Sequence, residues 1–233
     1  MDIQRILRFL HDIAQHNNRN WFQVHKNEYD TCRDIINRLT EQLIIRLSML
    51  DERLAHLRVK DCTYRFNRDT RFSSDKSPYK THMGIYIASH TKKGLHGGYY
   101  LHLEPGQCLL ACGTYWLPTH ILTACRNEIM GNFEQWASIV EDKVFVNLFG
   151  RPGQGSWGDS KGFGLTHLKK CPAGFPNNYE HIEYLRMKDY CCWTHVDDSF
   201  FENTQWMEKA MDIFSKGKPM LDFINAVVDD YEE

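Results

Sequence analysis

Residues 83–114, MGIYIASHTKKGLHGGYYLHLEPGQCLLACGT, decide the fold class that this 233-residue chain is expected to adopt. Three apolar runs, 83–90, 99–104 and 107–114, are separated by short stretches that contain Gly and Pro. Short runs of this kind, with turn residues between them, are typical of neighbouring antiparallel strands. The segment therefore predicts a three-stranded meander.

Helical patterns flank this meander on both sides. Before it, apolar residues recur at helical spacing from Ile3 to Ile13, and again along a long helix predicted from about Trp21 to Leu57. After it, the pattern predicts helices at 117–130, 132–142, 178–187, 203–214 and 219–228, with further strands at 143–149 and 190–196. Helices at both ends of a run of strands predict an α+β fold, a single antiparallel sheet packed by N-terminal and C-terminal helices.

The chain is expected to form one domain. No internal repeat and no low-complexity linker interrupts it, so we predict a single α+β domain over residues 1–233. Its first part, about 1–60, is expected to be helical, and the part at about 61–233 to combine sheet and helices. The sequence does not indicate an oligomeric state.

Composition narrows the class of protein. Hydrophobic residues make up 42% and charged residues 25% of the chain, which is ordinary for a globular protein. The net charge of −2 argues against binding of nucleic acid or membrane through overall charge. No apolar run of about 18 residues occurs, so no membrane partner is expected. The N-terminus lacks a signal-peptide pattern, and eight cysteines without a CxxC pair predict reduced thiols in a cytoplasmic protein.

One segment departs from this average composition. Residues 65–81, RFNRDTRFSSDKSPYKT, carry a charge of +3 over positions 65–80, because only Asp69 and Asp75 oppose five cations. These cations are Arg65, Arg68, Arg71, Lys76 and Lys80. Arginine offers a planar pair of donors that fits carboxylate or phosphate, and Pro78 restricts the backbone, so we predict an anion-binding loop. Three tyrosines are expected to add donors or a stacking surface: Tyr79, Tyr99 and Tyr100.

The same segment resembles the signature of an uncharacterised family, the Domain of Unknown Function 2461 family, and the resemblance extends along most of the chain. The family's early Asn-x-x-x-Trp-Phe element is matched by Asn18-Arg19-Asn20-Trp21-Phe22. Other matching elements are Gly98-Tyr99-Tyr100-Leu101, Gly113-Thr114-Tyr115 with Pro118, and Leu168-Lys169 with Pro172-Ala173-Gly174-Phe175. Around Gly113 the chain has one glycine where the family pattern leads us to expect two. Arg126 falls where the family places an arginine on the following helix, which adds it to the predicted site. The resemblance implies membership and no activity.

Three interpretations of residues 65–81 remain open. The first is a pocket for a small phosphate- or carboxylate-bearing ligand, which would fit an enzyme that acts on a small acidic metabolite. The second is a non-catalytic nucleic-acid-binding module, whose cations would extend to Arg19, Lys92 and Lys93. The negative net charge places this interpretation second. The third is a structural loop held by its own ion pairs, with the function elsewhere in the chain.

A glycine-rich segment matches a known cofactor pattern only in part. Residues 153–158, GQGSWG, satisfy GxGxxG. A dinucleotide site would need a helix directly after this pattern, and the following residues have no helical period. We therefore interpret residues 153–164 as a loop and a candidate lid, and we predict no cofactor.

Two groups of polar residues on predicted strands are compatible with chemistry. Tyr100, His102 and Glu104 share one face of a strand, as metal ligands or acid–base groups would. A polar face directed to solvent is the commoner cause of such a pattern, so no metal site is predicted. His195 and Asp197 form a similar pair, and there we favour a helix cap at Asp198.

Overall fold

A computed structural model of the protein describes residues 2–153 and 156–232. Within these residues it contains nine α-helices and one five-stranded antiparallel sheet, which confirms the predicted α+β fold. The helices are α1 (Ile3–Gln15), α2 (Arg19–Val24), α3 (Lys26–Ser48), α4 (Val59–Cys62), α5 (Thr119–Gly131), α6 (Phe133–Val140), α7 (Lys143–Phe149), α8 (Ile182–Arg186) and α9 (Trp206–Glu232). The strands are β1 (Met83–Ile87), β2 (Gly98–Leu103), β3 (Leu109–Thr114), β4 (Lys161–Phe163) and β5 (Tyr190–His195).

The strand order of the sheet is β1-β2-β3-β5-β4, so the predicted meander forms one side of it. Strand β5 was also predicted, whereas β4 lies in the glycine-rich segment that was predicted as a loop. This short strand pairs antiparallel with β5, and Gly162 lies opposite Trp193. Three residues are too few to produce an alternating pattern, which is why the sequence did not reveal β4.

The chain divides into two compact units, and each draws on more than one segment. The first unit comprises Met1–Lys92, Tyr100–Leu109 and Val196–Lys209. The second comprises Lys93–Tyr99, Leu110–His195 and Ala210–Glu233. The predicted single domain stays a prediction, because the compactness of two units does not tell whether they fold separately.

The long helix predicted from about Trp21 to Leu57 is wrong in its extent. Its N-terminal part is the separate helix α2, which Asn18 caps by accepting a hydrogen bond from the Trp21 N–H at 2.9 Å. At His25 the backbone leaves helical geometry, with a φ of −100° and a ψ of 16°. The His25 N–H still donates to the Trp21 carbonyl oxygen at 3.1 Å, the His25 ring Nδ1 lies 2.8 Å from the same oxygen, and the two rings stack with 3.9 Å between centroids. Helix α3 then ends at Ser48, and a 3-10 turn follows at Glu52–Leu54.

The strand predicted at 143–149 is also wrong, since these residues form helix α7. Asp142 caps this helix by accepting hydrogen bonds from the N–H groups of Val144 and Phe145, at 2.8 and 3.3 Å. Phe145 and Phe149, four residues apart, are buried, while Val144 is exposed. A short apolar run is compatible with a strand or a helix, and here the cap and the burial at helical spacing decide for the helix.

The two helices predicted at 203–214 and 219–228 are one continuous helix, α9, with Pro219 inside it. Proline lacks the N–H that a helix interior requires, so the sequence predicted a new start at this position. Apolar side chains on both sides of Pro219 are buried, among them Phe214 and Leu221, and this burial offsets the missing hydrogen bond. None of the helices within the described residues, α9 included, combines the length and the apolar composition that crossing a bilayer requires.

Candidate functional site

Residues 65–81 form a closed loop in the first unit. The Arg68 N–H donates to the Pro78 carbonyl at 2.9 Å, and the Lys80 N–H donates to the Phe66 carbonyl at 3.0 Å. Between them, Asn67 and Tyr79 form an isolated antiparallel bridge. The two ends of the segment are therefore paired, and residues 69–77 form the loop that they close.

The base of this loop is held by Asn17 and by an aromatic cluster. The Asn17 side chain accepts from the Tyr79 N–H at 3.0 Å and donates to the Tyr79 carbonyl at 2.9 Å. The Tyr79 ring stacks on Phe22 with 4.1 Å between ring centroids, and Phe66 stacks beside it. Tyr79, which was predicted to contribute to anion binding, is buried in this packing.

Asn17 is a residue that the sequence reasoning missed. The family element Asn-x-x-x-Trp-Phe places its asparagine four positions before the tryptophan. That spacing fits Asn17 with Trp21, whereas Asn18 is only three positions away. The four-residue spacing from Trp21 was therefore the sequence signal that could have identified Asn17. The two hydrogen bonds between the Asn17 side chain and the backbone of Tyr79 explain why an asparagine is needed at this position.

Three of the five predicted cations are engaged within the loop. Arg68 pairs with Asp75 and lies 3.3 Å from the Ser77 carbonyl oxygen. Arg71 makes a two-point contact with Asp69, at 3.0 Å from Nε and 2.7 Å from Nη2. The Lys76 ammonium donates to the Thr70 carbonyl at 2.9 Å. This is the arrangement expected of a loop stabilised by its own ion pairs.

The loop carboxylates are held in their charged form. Hydrogen bonds from Ser77, together with the Arg68 guanidinium, lower the pKa of Asp75 to about 2. The hydrogen bonds from Arg71 lower the pKa of Asp69. Because a depressed carboxyl pKa stabilises the ordered form above the pKa of the unfolded chain, we expect the loop order to be complete above about pH 4 and lost as the pH falls towards 2.

Carbon-detected NMR titration of the Asp75 carboxyl group tests this expectation. We expect the Asp75 carboxyl group to titrate with a midpoint at about 2. We also expect Asp75→Asn to broaden the backbone signals of the loop while leaving those of α1 unchanged. An Asp75 midpoint at about 3.9, the ordinary value for aspartate, would contradict the geometry of this loop.

The other two predicted cations, Arg65 and Lys80, lie beside Tyr64 together with Arg33 and Lys92. Lys80 Nζ is 5.4 Å from the centre of the Tyr64 ring, and Lys92 Nζ is 5.8 Å from it. Arg33 donates to the Tyr64 carbonyl at 3.3 Å. The nearest carboxylate to Arg65 is Asp69, at 4.0 Å, and in the part of the chain that the structure describes no carboxylate is paired with Lys80. Burial and the neighbouring Arg65 lower the pKa of Lys80.

A small pocket opens at this group of cations, and we call it the Tyr64 pocket. Its lining residues all belong to the first unit: Arg33, Ile36, Tyr64, Arg65, Phe66, Lys80, His82, Met83 and Gly84. Its enclosed volume is about 10 Å³, which is room for about one water molecule. Tyr64 and Arg33 were not predicted as site residues, because Tyr64 lies just before the basic segment and Arg33 lies on the distant helix α3.

Next to the pocket, three side chains of strand β2 and its end form a hydrogen-bonded chain. The Tyr100 hydroxyl lies 2.8 Å from His102 Nδ1, and His102 Nε2 lies 3.0 Å from a Glu104 carboxylate oxygen. The other oxygen of Glu104 accepts from the Thr81 hydroxyl at 2.7 Å. The His82 ring stacks on His102 with 4.7 Å between centroids. The sequence favoured a face directed to solvent, but His102 is only 5% exposed.

Gly84 on β1 makes room for this arrangement. An ideal Cβ atom at Gly84 would lie 2.6 Å from the Tyr100 hydroxyl oxygen and 2.7 Å from its ring. The absence of a side chain thus allows the Tyr100 ring to lie across the neighbouring strand. Tyr100, which was predicted to line an anion site, uses its hydroxyl group to contact His102.

The remaining two predicted residues, Tyr99 and Arg126, belong to the second unit. The Tyr99 ring is buried and makes an edge contact with Phe214, with 5.4 Å between centroids. Arg126 is 5% exposed, and its Nη2 donates to the Met187 carbonyl at 2.9 Å. Burial lowers the pKa of Arg126. Both side chains contribute to the interior of the second unit, and their participation in an anion site stays a prediction.

Two other sequence interpretations concern neighbouring loops. Asp198 was expected to cap a helix, but its carboxylate instead accepts from the Gly106 N–H at 3.0 Å and so holds the turn before β3. His195 Nε2 lies 3.0 Å from the Trp157 carbonyl oxygen. The candidate lid at 153–164 includes residues 154 and 155, which lie outside the described residues, so its predicted role stays a prediction.

Comparison with known protein families supplies a match that covers nearly the whole chain. Residues 5–223 match the family described as "Conserved hypothetical protein (DUF2461)". No curated protein and no solved structure matches the chain. This is the family that the motifs around residues 65–81 indicated, and its description names no activity.

Proposed function

The chain belongs to the DUF2461 family of conserved hypothetical proteins, and from this premise we propose that its first unit binds a small phosphate- or carboxylate-bearing molecule at the Tyr64 pocket. The proposal rests on the burial of Lys80 and on the charged groups around it. This ammonium group is half-buried, lies beside Arg65 and Arg33, and is not paired with a carboxylate in the described residues. A partly buried cation is stabilised when an anion binds next to it.

The cations of the segment divide into two groups by their partners. Arg68 and Arg71 already satisfy their guanidinium groups with Asp75 and Asp69, so they hold the loop in shape. Arg65 lines the Tyr64 pocket, is 72% exposed, and lies 4.0 Å from the Asp69 carboxylate. We therefore assign anion binding to Arg65 and Lys80, with Arg33 as a third donor.

The size of the Tyr64 pocket limits how the ligand binds. An enclosed volume of about 10 Å³ is too small for a phosphate group, so the anion lies at the mouth of the pocket. The Tyr64 ring offers a flat wall for the remainder of the molecule. Action as an enzyme on a small acidic metabolite is a further part of this proposal, and the neighbouring His82 and Glu104 are the groups that would take part.

Binding of inorganic phosphate and of a panel of phosphorylated metabolites, measured by calorimetry and thermal shift, tests the proposal. We expect at least one ligand to bind, and we expect Lys80→Met and Arg65→Met each to weaken its binding about tenfold to a hundredfold, because a hydrogen bond to a charged group contributes about 1.5–3 kcal/mol. Lys76→Met is the matched control, since Lys76 lies in the same segment and its ammonium group donates to the Thr70 carbonyl outside the Tyr64 pocket.

Each outcome of this experiment has a clear meaning. Loss of binding in the Lys80 and Arg65 variants with binding retained in the Lys76 variant supports the pocket. Equal losses in all three variants indicate attraction by overall loop charge and contradict it. Failure of every ligand to bind the wild-type protein also rejects the proposal, and the nucleic-acid-binding module and the structural loop then remain.

Nucleic-acid binding is the second candidate, and one observation favours it. Phe72 at the tip of the loop is 96% exposed, and the Arg71 guanidinium lies 5.8 Å from its ring centre. Exposed aromatic rings among cations stack on unpaired bases. If this candidate is right, a single-stranded oligonucleotide binds with a steep salt dependence, and Phe72→Ala weakens it while leaving phosphate binding unchanged.

A cytoplasmic location remains part of the proposal. All eight cysteines are free thiols, and seven of them are buried. Burial raises the pKa of Cys32 to about 12 and that of Cys62 to about 11, so both thiols stay protonated and unreactive at neutral pH. Free, unreactive thiols are typical of proteins in reducing compartments, which supports the prediction made from the sequence.

A further inference from the structure

Beside the Tyr64 pocket, two imidazoles and one carboxylate come together in the first unit. One ligand atom each from His82, His102 and Glu104 lies within 4.8 Å of the others. His102 Nε2 and Glu104 Oε2 are 3.0 Å apart. Two ligands at about 2.0–2.1 Å from one ion are themselves about 3 Å apart, so this pair already has the spacing of two ligands of a single ion.

The backbone holds these three side chains in fixed positions. His102 belongs to β2. Glu104 is the first residue after β2 and lies two positions after His102, so both side chains project from the same face. His82 immediately precedes β1, the strand next to β2 in the sheet. Ligands carried by neighbouring strands are positioned more precisely than ligands on loops.

Two of these side chains, His102 and Glu104, each form a hydrogen bond with a hydroxyl group outside the cluster, and this bond orients them. The Tyr100 hydroxyl lies 2.8 Å from His102 Nδ1, which leaves Nε2 as the nitrogen that points into the cluster. The Thr81 hydroxyl donates to the second oxygen of Glu104 at 2.7 Å. Metal-binding histidines and carboxylates are commonly held by outer hydrogen bonds of this kind.

From this geometry we propose that His82, His102 and Glu104 bind one divalent first-row transition-metal ion, such as Zn²⁺, and leave at least one coordination position open. Two imidazoles and a carboxylate suit Zn²⁺, Co²⁺ or Fe²⁺, whereas Mg²⁺ and Ca²⁺ prefer oxygen ligands. Sites with three protein ligands and an open position are typical of catalysis. His82 also lines the Tyr64 pocket, but metal binding does not depend on the anion proposal.

The test uses the whole purified chain, stripped of metal with a chelator and titrated with Co²⁺ and then Zn²⁺ at neutral pH. We expect one equivalent of Co²⁺ to bind with visible d–d absorption and without the sulfur-to-cobalt band that cysteine ligation would give. His82→Gln and Glu104→Gln are expected to lower the affinity for both metals at least about tenfold, and Thr81→Val to lower it about tenfold by releasing Glu104. His11→Gln is the control, because His11 is an exposed histidine of α1.

Several results would overturn the proposal. These are failure of the wild-type chain to bind either metal, metal affinities in the His82 and Glu104 variants equal to those of wild type, or a cobalt spectrum with cysteine ligation. Melting temperatures of the metal-free variants show whether they are folded. If Glu104→Gln lowers the melting temperature and Zn²⁺ does not raise that of wild type, the cluster is a structural hydrogen-bond network.

Discussion

Gly113→Ala is expected to lower the free energy of unfolding by about 3 kcal/mol or more, and the variant is expected to accumulate poorly in a folded form. Gly113 on β3 has a φ of +123°, a conformation that residues with a side chain rarely adopt. An ideal Cβ atom would lie 2.0 Å from the Tyr190 carbonyl oxygen and 3.0 Å from the Cys191 Cα. Both contacts are to the backbone of β5, which cannot move aside without breaking the sheet.

Urea unfolding followed by circular dichroism measures this effect. Gly131→Ala is the matched control, because Gly131 ends α5 and has no atom within 4 Å of an ideal Cβ. Alanine is favoured over glycine in a helix by up to about 1 kcal/mol, so this control is expected to be neutral or slightly more stable than wild type. A Gly113→Ala protein within about 0.5 kcal/mol of wild type, the range of ordinary surface substitutions, would show that β3 and β5 do not approach as closely as described.

Asp189→Ala is the second large expected effect, a loss of about 3–5 kcal/mol. Asp189 is buried in the second unit, and its carboxylate accepts three hydrogen bonds: from the Leu165 N–H at 2.8 Å, the Thr166 N–H at 2.9 Å and the Thr166 hydroxyl at 2.8 Å. Removing the carboxylate leaves these donors without an acceptor in the protein interior, and each unsatisfied donor costs about 1–3 kcal/mol.

The same denaturation assay distinguishes this role from ordinary capping. Asp142→Ala removes the exposed cap of α7 and is expected to cost about 1 kcal/mol. Asp189→Asn keeps one accepting oxygen and is expected to fall between wild type and Asp189→Ala. If Asp189→Ala costs no more than Asp142→Ala, the three hydrogen bonds are not maintained in solution.

The sequence allowed the correct prediction of those parts of the fold that depend on near neighbours. The apolar spacing from Ile3 to Ile13 predicts α1, and the turns around 96–98 and 105–106 predict the meander β1-β2-β3. The sequence showed the family's glycine motif at Gly113 but not why a glycine is needed there. Glycine is needed because β5, a strand about eighty positions away in the chain, passes too close to Gly113 for a side chain to fit.

Errors occurred where the apolar spacing of the sequence does not determine where a helix begins or ends. Pro219 indicated a new helix, yet burial of its apolar neighbours keeps α9 continuous. At His25 the backbone turns away from helical geometry, although its N–H still donates to the Trp21 carbonyl oxygen. The apolar period of a single sequence shows neither the burial around Pro219 nor the backbone turn at His25.

For the candidate site as well, one part could be predicted from the sequence and the other part only from the tertiary structure. The sequence by itself determined that residues 65–81 carry excess positive charge and belong to a family signature, because charge and motif are properties of the chain alone. Only the tertiary structure decided which cations are neutralised by a carboxylate. Arg68 pairs with Asp75 and Arg71 pairs with Asp69 in the closed loop. Lys80 instead lies beside the Tyr64 ring and the Arg65 guanidinium. Only the tertiary structure brought His82 to His102 and Glu104, because a contact between neighbouring strands depends on how the sheet pairs and not on the spacing of residues along the chain.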